Sequence, residues 1–168
     1  HGPQAGTSLI HPHAQLVGIP MVPSNVRSRA EEARRHFDDT GTCVYCQMQQ
    51  FEQAARHRVV MENEHFVAFV PYAAFSPFHL WIMPKQHKSS FLDASPEEIE
   101  ALGDALHNVL RRLYVGLHDP DYNYVIRSAP LRDLGRDYLH WYVAIVPQVT
   151  RAAGFEMGTG MFINVVLP

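Results

Sequence analysis

Histidine dominates the reactive side chains of this sequence: 11 histidines stand beside only two cysteines. Histidine titrates near neutral pH, ligates metals and attacks phosphorus or carbonyl centres. We expect most of the histidines to be ordinary surface or core residues. The chemically informative ones lie in or near two motifs, a His-Pro-His-Ala-Gln segment near the N-terminus and a Cys-x-x-Cys pair farther along the chain.

The His-Pro-His-Ala-Gln segment, residues 11–15, falls in a stretch whose pattern predicts a strand over 7–19. Side chains two apart on a strand share a face, so we expect His11, His13 and Gln15 to project together. They would combine a potential metal ligand, a potential nucleophile and an amide donor. Attack of an imidazole nitrogen on phosphorus gives a labile phosphoramidate, a suitable intermediate for moving a nucleotide.

Small polar residues precede this segment. Gly2, Gly6, Thr7 and Ser8 offer backbone N–H groups and hydroxyls to phosphate oxygens. A hydrogen bond from the second ring nitrogen of a histidine to a neighbouring backbone carbonyl would fix its tautomer. On chemistry alone, a surface loop is as good an interpretation of these residues as a phosphate site.

The cysteine pair is Cys43-Val44-Tyr45-Cys46, and its three interpretations are a redox motif, a disulfide and half of a zinc site. No thioredoxin-like βαβ pattern surrounds the pair, and a secreted disulfide scaffold would carry more cysteines. Two thiolates need two further ligands to close a tetrahedral zinc site. His87 and His140 are candidates, although their spacing alone does not select them.

The remaining patterns predict an α+β fold on an antiparallel sheet, because strands and helices do not alternate regularly. Helices are predicted over 24–38, over 45–56 and from Ser95 to the Asp119-Pro120 stop. Strands are predicted over 57–62, 65–70, 78–83, 122–127, 139–146 and 161–167. The long helix is predicted to bury the stripe Ile99, Leu102, Leu106, Leu110 and Leu113. His79, on the third of these strands after the two short helices, is expected in the core or an interface rather than as a ligand.

Composition excludes several classes of protein. With 14 Lys+Arg against 17 Asp+Glu, the net charge of −3 argues against a nucleic-acid coat. No apolar run approaches the roughly 20 residues of a membrane span, and 11% aromatic residues argue against disorder. We therefore expect a cytoplasmic protein with neither nucleic-acid nor membrane partners. Because the densest polar motif lies within the first fifteen residues, we also expect a longer protein upstream.

The run GTSLIHPHAQ, residues 6–15, resembles the active-site strand of galactose-1-phosphate uridylyltransferases, a branch of the histidine-triad superfamily. The resemblance implies that His13 is the nucleophile that accepts the nucleotidyl group. It also implies that His11 ligates zinc, that Gln15 hydrogen-bonds the phosphate, and that Ser8 contacts the phosphate. The predicted substrate-binding residues are Gly6, Ser8 and Gln15.

The runs CVYC, HLWIMPKQH and LHWYVAIVP are similar to the layout of a histidine-triad domain. In such domains the Cys-x-x-Cys pair, the histidine after Pro-Lys and the first histidine of the last motif share one zinc. The resemblance thus implies a zinc site of Cys43, Cys46, His87 and His140. A catalytic triad strand would continue with two more histidines, but Tyr142 and Ala144 stand there, so this zinc is expected to be structural.

These resemblances imply a division of the chain and an activity. Residues 1–23 would be the C-terminal strand of a truncated first histidine-triad repeat, 24–42 a linker helix, and 43–168 a second repeat with a degenerate triad. The implied activity is nucleotidyl transfer between a nucleotide sugar and a sugar 1-phosphate, in a protein that is a homodimer at full length. A phosphorylase of ADP-sugars or dinucleotides, with phosphate as acceptor, is one alternative. A non-catalytic zinc module that binds nucleotides or assembles a partner is the other.

Overall fold

The computed structural model describes residues 1–7, 9 and 11–167. Its centre is a five-stranded antiparallel sheet with the strand order β1-β2-β3-β5-β4. The strands are β1 Val59–Glu62, β2 Phe66–Phe69, β3 Leu80–Pro84, β4 Tyr122–Arg127 and β5 Tyr142–Pro147. The helices are α1 Ser24–Thr40, α2 Val44–Ala55, α3 Pro96–Leu117 and the short α4 Gly154–Thr159. The predicted α+β class, with an antiparallel sheet and flanking helices, is confirmed.

Helix α3 covers one face of the sheet. Its start is specified locally: the Ser95 hydroxyl accepts from the amide of Glu98, the Glu98 carboxylate accepts from the amide of Ser95, and Pro96 occupies the first turn. The core beneath the helix contains side chains from both elements: Leu102, Ala105, Val109 and Leu113 from α3 face Phe66, Ala68, Leu80, Ile82, Val143 and Ile145 from the strands. Alternation at period two assigns these strand residues to one face.

The predicted stripe on α3 is wrong at Ile99, which is 43% exposed. The buried row instead includes Ala105, which is fully buried. Size explains the difference, because the small side chain of Ala105 lets α3 approach the sheet closely, whereas a pattern of large apolar residues passes over it. Leu106 and Leu110 flank the row and are partly buried.

The opposite face of the sheet is covered by α2 and by aromatic side chains. Val67, Phe69, Met83, Tyr142 and Ala144 form its buried cluster, against which Tyr45 and Trp81 pack. This face positions the candidate metal ligands, because α2 carries the cysteine pair.

Two predicted strands are not formed. The described residues of 7–19 and the residues 161–167 belong to no strand. Within the described part of the chain no neighbouring strand pairs with 11–19, and Leu16 is fully exposed. Before this tail, α4 ends at Thr159, and Gly160 adopts a left-handed conformation with φ 71°.

No helix in the described residues is both long enough and apolar enough to cross a bilayer.

Candidate metal centre and His-Pro-His segment

Four side chains from three parts of the chain converge at one edge of the sheet. The ligand atoms of Cys43, Cys46, His87 and His140 all lie within 4.8 Å of one another. The Cys46 Sγ atom is 3.2 Å from His87 Nδ1 and 3.4 Å from His140 Nδ1. In a tetrahedral zinc site, with metal–ligand bonds of about 2.0–2.3 Å, neighbouring ligand atoms are roughly 3.5 Å apart. The donor set and its spacing therefore fit a tetrahedral metal.

The fold explains why these residues meet. Cys43 is the N-cap of α2 and Cys46 lies in its first turn, so a spacing of three places both thiols on one side of the helix. His87 follows the end of β3, and His140 precedes the start of β5. Because β3 and β5 are antiparallel neighbours, the end of one strand and the start of the other lie at the same edge.

Contacts around the cluster fix these elements to one another. The buried Gln49 side chain of α2 donates from Nε2 to the carbonyl of Pro84, the last residue of β3, at 2.9 Å. Lys88 donates from Nζ to Glu98 at 2.6 Å, which ties the segment after His87 to the start of α3. Both contacts are largely shielded from water, so the histidine segment has little freedom relative to the cysteine helix.

The electrostatics of the thiol pair favour a cation. A hydrogen bond from Cys46 outweighs burial and lowers the pKa of Cys43 to about 4, while the same bond and burial raise the pKa of Cys46. Of the two thiols, Cys43 therefore loses its proton more readily. Zinc binding requires both thiols to be deprotonated, and the metal would replace their protons.

Burial differs among the four ligands. Cys43 and His140 are buried, Cys46 is half-buried and His87 is exposed. The Nε2 atom of His140 is buried and has no hydrogen-bond partner among the described residues. A metal-ligating histidine usually donates its other ring N–H to an acceptor, so an acceptor for His140 is missing from the protein atoms described.

The structure presents His11 and His13 on the surface. Their ring centroids are 6.3 Å apart, and both side chains are exposed. His13 Nδ1 lies 3.3 Å from the carbonyl of His11 and 3.4 Å from Thr7 Oγ1. A proton on Nδ1 that is donated to that carbonyl leaves Nε2 as the free, nucleophilic nitrogen.

The other predicted site residues are placed as follows. The amide of Gly6 donates to the carbonyl of Pro3 at 3.1 Å and is thereby engaged within the chain. Gln15 is exposed, and Ser8 lies outside the described residues. His11 joins no cluster of three or more metal-binding side chains in the described part of the chain. The roles assigned to His11, His13, Gln15, Gly6 and Ser8 stay predictions.

Tyr142 and Ala144, which the resemblance predicts at the two degenerate triad positions, belong to the apolar cluster on the α2 face. Tyr142 is 5% exposed and its ring lies 4.2 Å from that of Trp81 and 5.7 Å from that of Tyr45. Ala144 is 4% exposed. These packed side chains offer no imidazole for nucleotidyl transfer.

Sequence motifs do not indicate the contacts that anchor the N-terminal residues. His1 and Tyr122 exchange two backbone hydrogen bonds of 3.1 and 3.0 Å, and the amide of Gln4 donates to Asp121. Arg151 donates from Nη2 to Gln4 Oε1 at 2.8 Å. These contacts hold residues 1–4 against the start of β4 and the residues that flank the strands. They are long-range and lack a local pattern, so the sequence carries little signal for them.

Comparison with known proteins places these features in a family. A sequence profile of the galactose-1-phosphate uridyl transferase C-terminal domain matches residues 25–156. An ADP-glucose phosphorylase of Arabidopsis thaliana is 40% identical over 169 residues, covering 99% of this chain and 47% of that protein. A galactose-1-phosphate uridylyltransferase of Thermotoga maritima is 31% identical over 176 residues, covering 99% of this chain and 54% of that protein.

A solved structure agrees with the fold. The crystal structure of an Arabidopsis thaliana ADP-glucose phosphorylase with bound ADP-glucose matches with a TM-score of 0.78 and 39% identity, over 89% of this chain and 48% of that one. The fold and the cluster thus define an α+β protein with a Cys₂His₂ group suited to a metal. The chain belongs to the galactose-1-phosphate uridylyltransferase family, as the motifs predicted. It spans about half the length of these relatives, 47% of one and 54% of the other.

Proposed function

We propose that this chain is part of a nucleotidyltransferase in which His13 carries the nucleotidyl group. The geometry that supports the proposal most directly is the contact between His13 Nδ1 and the carbonyl of His11. With the ring proton on Nδ1 and donated to that carbonyl, Nε2 would be the nitrogen left for attack. Family membership supplies the context, because the relatives above are named as a phosphorylase and a uridylyltransferase.

The reaction would be a double displacement. His13 Nε2 attacks the α-phosphorus of a nucleotide sugar, a P–N bond forms, and the P–O bond to the sugar 1-phosphate breaks. An oxygen of a second phosphate then attacks the same phosphorus, and the P–N bond breaks. Gln15 and nearby backbone donors would stabilise the charge that develops on the phosphate oxygens.

The acceptor distinguishes two versions of this activity. A uridylyltransferase passes the nucleotidyl group to a sugar 1-phosphate, whereas a phosphorylase passes it to inorganic phosphate. The identity to the Arabidopsis thaliana ADP-glucose phosphorylase, 40% against 31% for the Thermotoga maritima uridylyltransferase, favours phosphate as acceptor and an ADP-sugar as donor. We keep both versions as candidates, to be separated by the acceptor experiment below.

The cluster of Cys43, Cys46, His87 and His140 would hold a structural zinc ion, with His11 belonging to a second site completed upstream. Zinc bound by Cys43, Cys46, His87 and His140 would cross-link α2 to the end of β3 and the start of β5. We further propose that residues 1–23 end a first histidine-triad repeat, that 24–42 link the repeats, and that 43–168 form the second. A cytoplasmic homodimer at full length is part of the same proposal.

Covalent labelling tests the nucleophile. The longest natural form of the protein that contains this chain is incubated with ADP-glucose or UDP-glucose radiolabelled at the α-phosphate, and protein-bound label is measured. We expect an acid-labile adduct that is lost in His13→Asn and kept in His107→Asn, a change at an exposed histidine of α3. Label that persists in His13→Asn would overturn the assignment. Absence of any adduct in the unmodified protein would favour the non-catalytic zinc module.

The acceptor experiment follows from the adduct. The labelled protein is supplied with inorganic phosphate or with galactose 1-phosphate, and the released nucleotide is identified. Release as a nucleoside diphosphate by inorganic phosphate indicates a phosphorylase. Release as a nucleotide sugar by galactose 1-phosphate indicates a uridylyltransferase.

A further inference from the structure

A cleft between α1 and the strands β4 and β5 is lined by two arginines that have no carboxylate partner among the described residues. Arg29 of α1 and Arg127 of β4 line this cleft together with Tyr45, Tyr142 and His140. Its volume is about 220 Å³, several times the roughly 30 Å³ that a water molecule occupies. The cleft lies on the second-repeat part of the chain, and His13 is not among the residues that line it.

The charge in the cleft is unbalanced. Across the described residues, neither Arg29 nor Arg127 forms an ion pair, whereas Arg34, Arg58 and Arg132 each contact a carboxylate. The residues described as lining the cleft include no Asp or Glu. Burial and the neighbouring charge of Arg29 lower the pKa of Arg127. Two half-buried guanidinium groups of like charge are unfavourable unless an anion lies between them.

The geometry of the strands explains how these groups come to face one cleft. Arg127 is paired directly with Tyr142 across β4 and β5, so both side chains lie on the same face of the sheet. The Tyr45 ring from α2 lies 5.7 Å from that of Tyr142. Arg29 approaches from α1, so four elements contribute to one polar site.

We propose that this cleft binds a phosphate-type oxyanion between the guanidinium groups of Arg29 and Arg127. A guanidinium fork matches a phosphate bidentately, and tyrosine hydroxyls can donate further hydrogen bonds. His140 supplies independent support, because it lines the cleft and its buried Nε2 has no partner among the described residues. An oxyanion, directly or through a water, would accept from that N–H.

The site binds an anion without reacting with it, because Tyr142 occupies the position of a triad histidine. An anion there would link α1 to the sheet and to the segment that carries His140. The ligand chemistry is shared by free inorganic phosphate and by the phosphate of a nucleotide, and the experiment below separates these two sources.

Phosphate titration tests the proposal. Inorganic phosphate is added at constant ionic strength, set with chloride, and binding is measured by calorimetry and by the thermal unfolding midpoint. We expect saturable binding that Arg29→Gln and Arg127→Gln each weaken about tenfold or more, because each removes a charge-assisted hydrogen bond. Arg34→Gln, an exposed change on the same helix, serves as the matched control and should leave the affinity unchanged.

Competition with a nucleotide identifies the ligand. AMP that competes with phosphate and binds at least tenfold more tightly indicates a nucleotide ligand, whereas equal affinity indicates free phosphate. Arg29 and Arg127 line the cleft and His13 does not, so a loss in the two arginine variants is distinguishable from a failure of the proposed catalytic function. If Arg127→Gln fails to fold, Arg29→Gln on α1 decides. Absence of saturable binding, or unchanged affinity in Arg29→Gln, would overturn the proposal.

Discussion

The backbone amide of Trp141 donates to the carbonyl of Lys88 at 2.9 Å. Each of these residues directly follows a candidate ligand, His140 in one case and His87 in the other. The bond therefore sets the separation of the two imidazoles, whose ring centroids are 5.1 Å apart. Two ligands held by the backbone lose less conformational freedom when a metal binds, so the cluster is preorganised.

Replacement of a cysteine ligand tests the metal. We expect the purified protein to carry one zinc ion at the Cys43 cluster and Cys46→Ser to lose it, because the oxygen is a poorer zinc ligand than a thiolate. Structural zinc contributes on the order of 10 kcal/mol, so the thermal midpoint should fall sharply in the variant and on chelation. Elemental analysis and thermal unfolding provide the measurements. His107→Gln, an exposed histidine on α3, should keep the metal. A protein that neither contains zinc nor responds to zinc or chelator would contradict this expectation.

The Lys88–Glu98 pair should support both stability and metal binding. Its side chains are only 18% and 6% exposed, and the Lys88 Nζ to Glu98 Oε2 distance is 2.6 Å. Lys88→Met leaves the Glu98 carboxylate buried without its cation, which should lower the free energy of unfolding by about 3 kcal/mol. Chemical denaturation measures the loss, and competition with a chelator should show weaker zinc binding.

The control is the exposed pair of Arg34 and Asp38, whose side chains are each 58% exposed. Arg34→Met should cost less than about 1 kcal/mol and leave zinc affinity unchanged. Equal losses in the two variants would show that burial of the Lys88 pair has no particular importance.

His79 should make the protein less stable in acid. The imidazole is 4% exposed, its Nε2 accepts from Trp81 Nε1 at 3.1 Å, and Phe75 lies against its ring. Burial and the charge of Arg127 lower its pKa to about 4, below the 6.5 of an exposed histidine. The unfolded chain binds more protons between these two values, so stability falls as the pH drops from 6.5 towards 4.

The loss attributable to His79 is up to about 3 kcal/mol. Denaturation of the protein and of His79→Phe at a series of pH values measures it as the difference in slope. Release of zinc in acid affects both proteins and cancels in that difference. His107→Gln should keep the slope of the parent protein, and an identical slope in His79→Phe would refute the prediction.

Gly2 lies where the N-terminal residues meet the start of β4. Its φ is +83°, and an added Cβ would lie 1.9 Å from an oxygen of Asp121, the carboxylate that accepts from the amide of Gln4. Gly2→Ala should therefore release this segment while the sheet stays folded. Hydrogen exchange should show lost protection at Tyr122, with little change in the global thermal midpoint.

Gly6→Ala is the matched control. Gly6 has a similar φ of +86° but open space around it, so its replacement costs only backbone strain of about 1 kcal/mol. The double change Gly2→Ala and Asp121→Ala should remove the clash without restoring the hydrogen bond to Gln4. Full protection of Tyr122 in Gly2→Ala would contradict the steric argument.

The candidate site was predictable from sequence because its ligands are chemically distinctive. The runs around Cys43, His87 and His140 predicted the candidate cluster through family resemblance, and the structure brings those residues together. The spacing of these residues alone could not predict the cluster, because His87 and His140 meet only when β3 and β5 are neighbouring strands. Most strands and much of the core could be predicted for one reason. The alternation of apolar and polar residues along a strand indicates directly which side chains are buried.

Other features depend on partners that local sequence does not encode. A strand at 7–19 needs a neighbouring strand, and the described residues supply none. Strand β5 begins at Tyr142 and not at 139, because the Trp141 amide is committed to Lys88 outside the ladder. The Arg29–Arg127 cleft could not be predicted, because lone arginines on a helix and a strand give no periodic signal.

Strand β4 has a consequence for the isolated chain. It is an edge strand of the sheet, and its side chains Tyr124, Val125 and Ile126 are 41%, 41% and 39% exposed. Within the described residues, contacts with the N-terminal residues cover only its first two positions. An open apolar edge is a template for pairing with any other extended chain. We therefore expect this edge, more than the net charge of −3, to limit the solubility of the isolated chain.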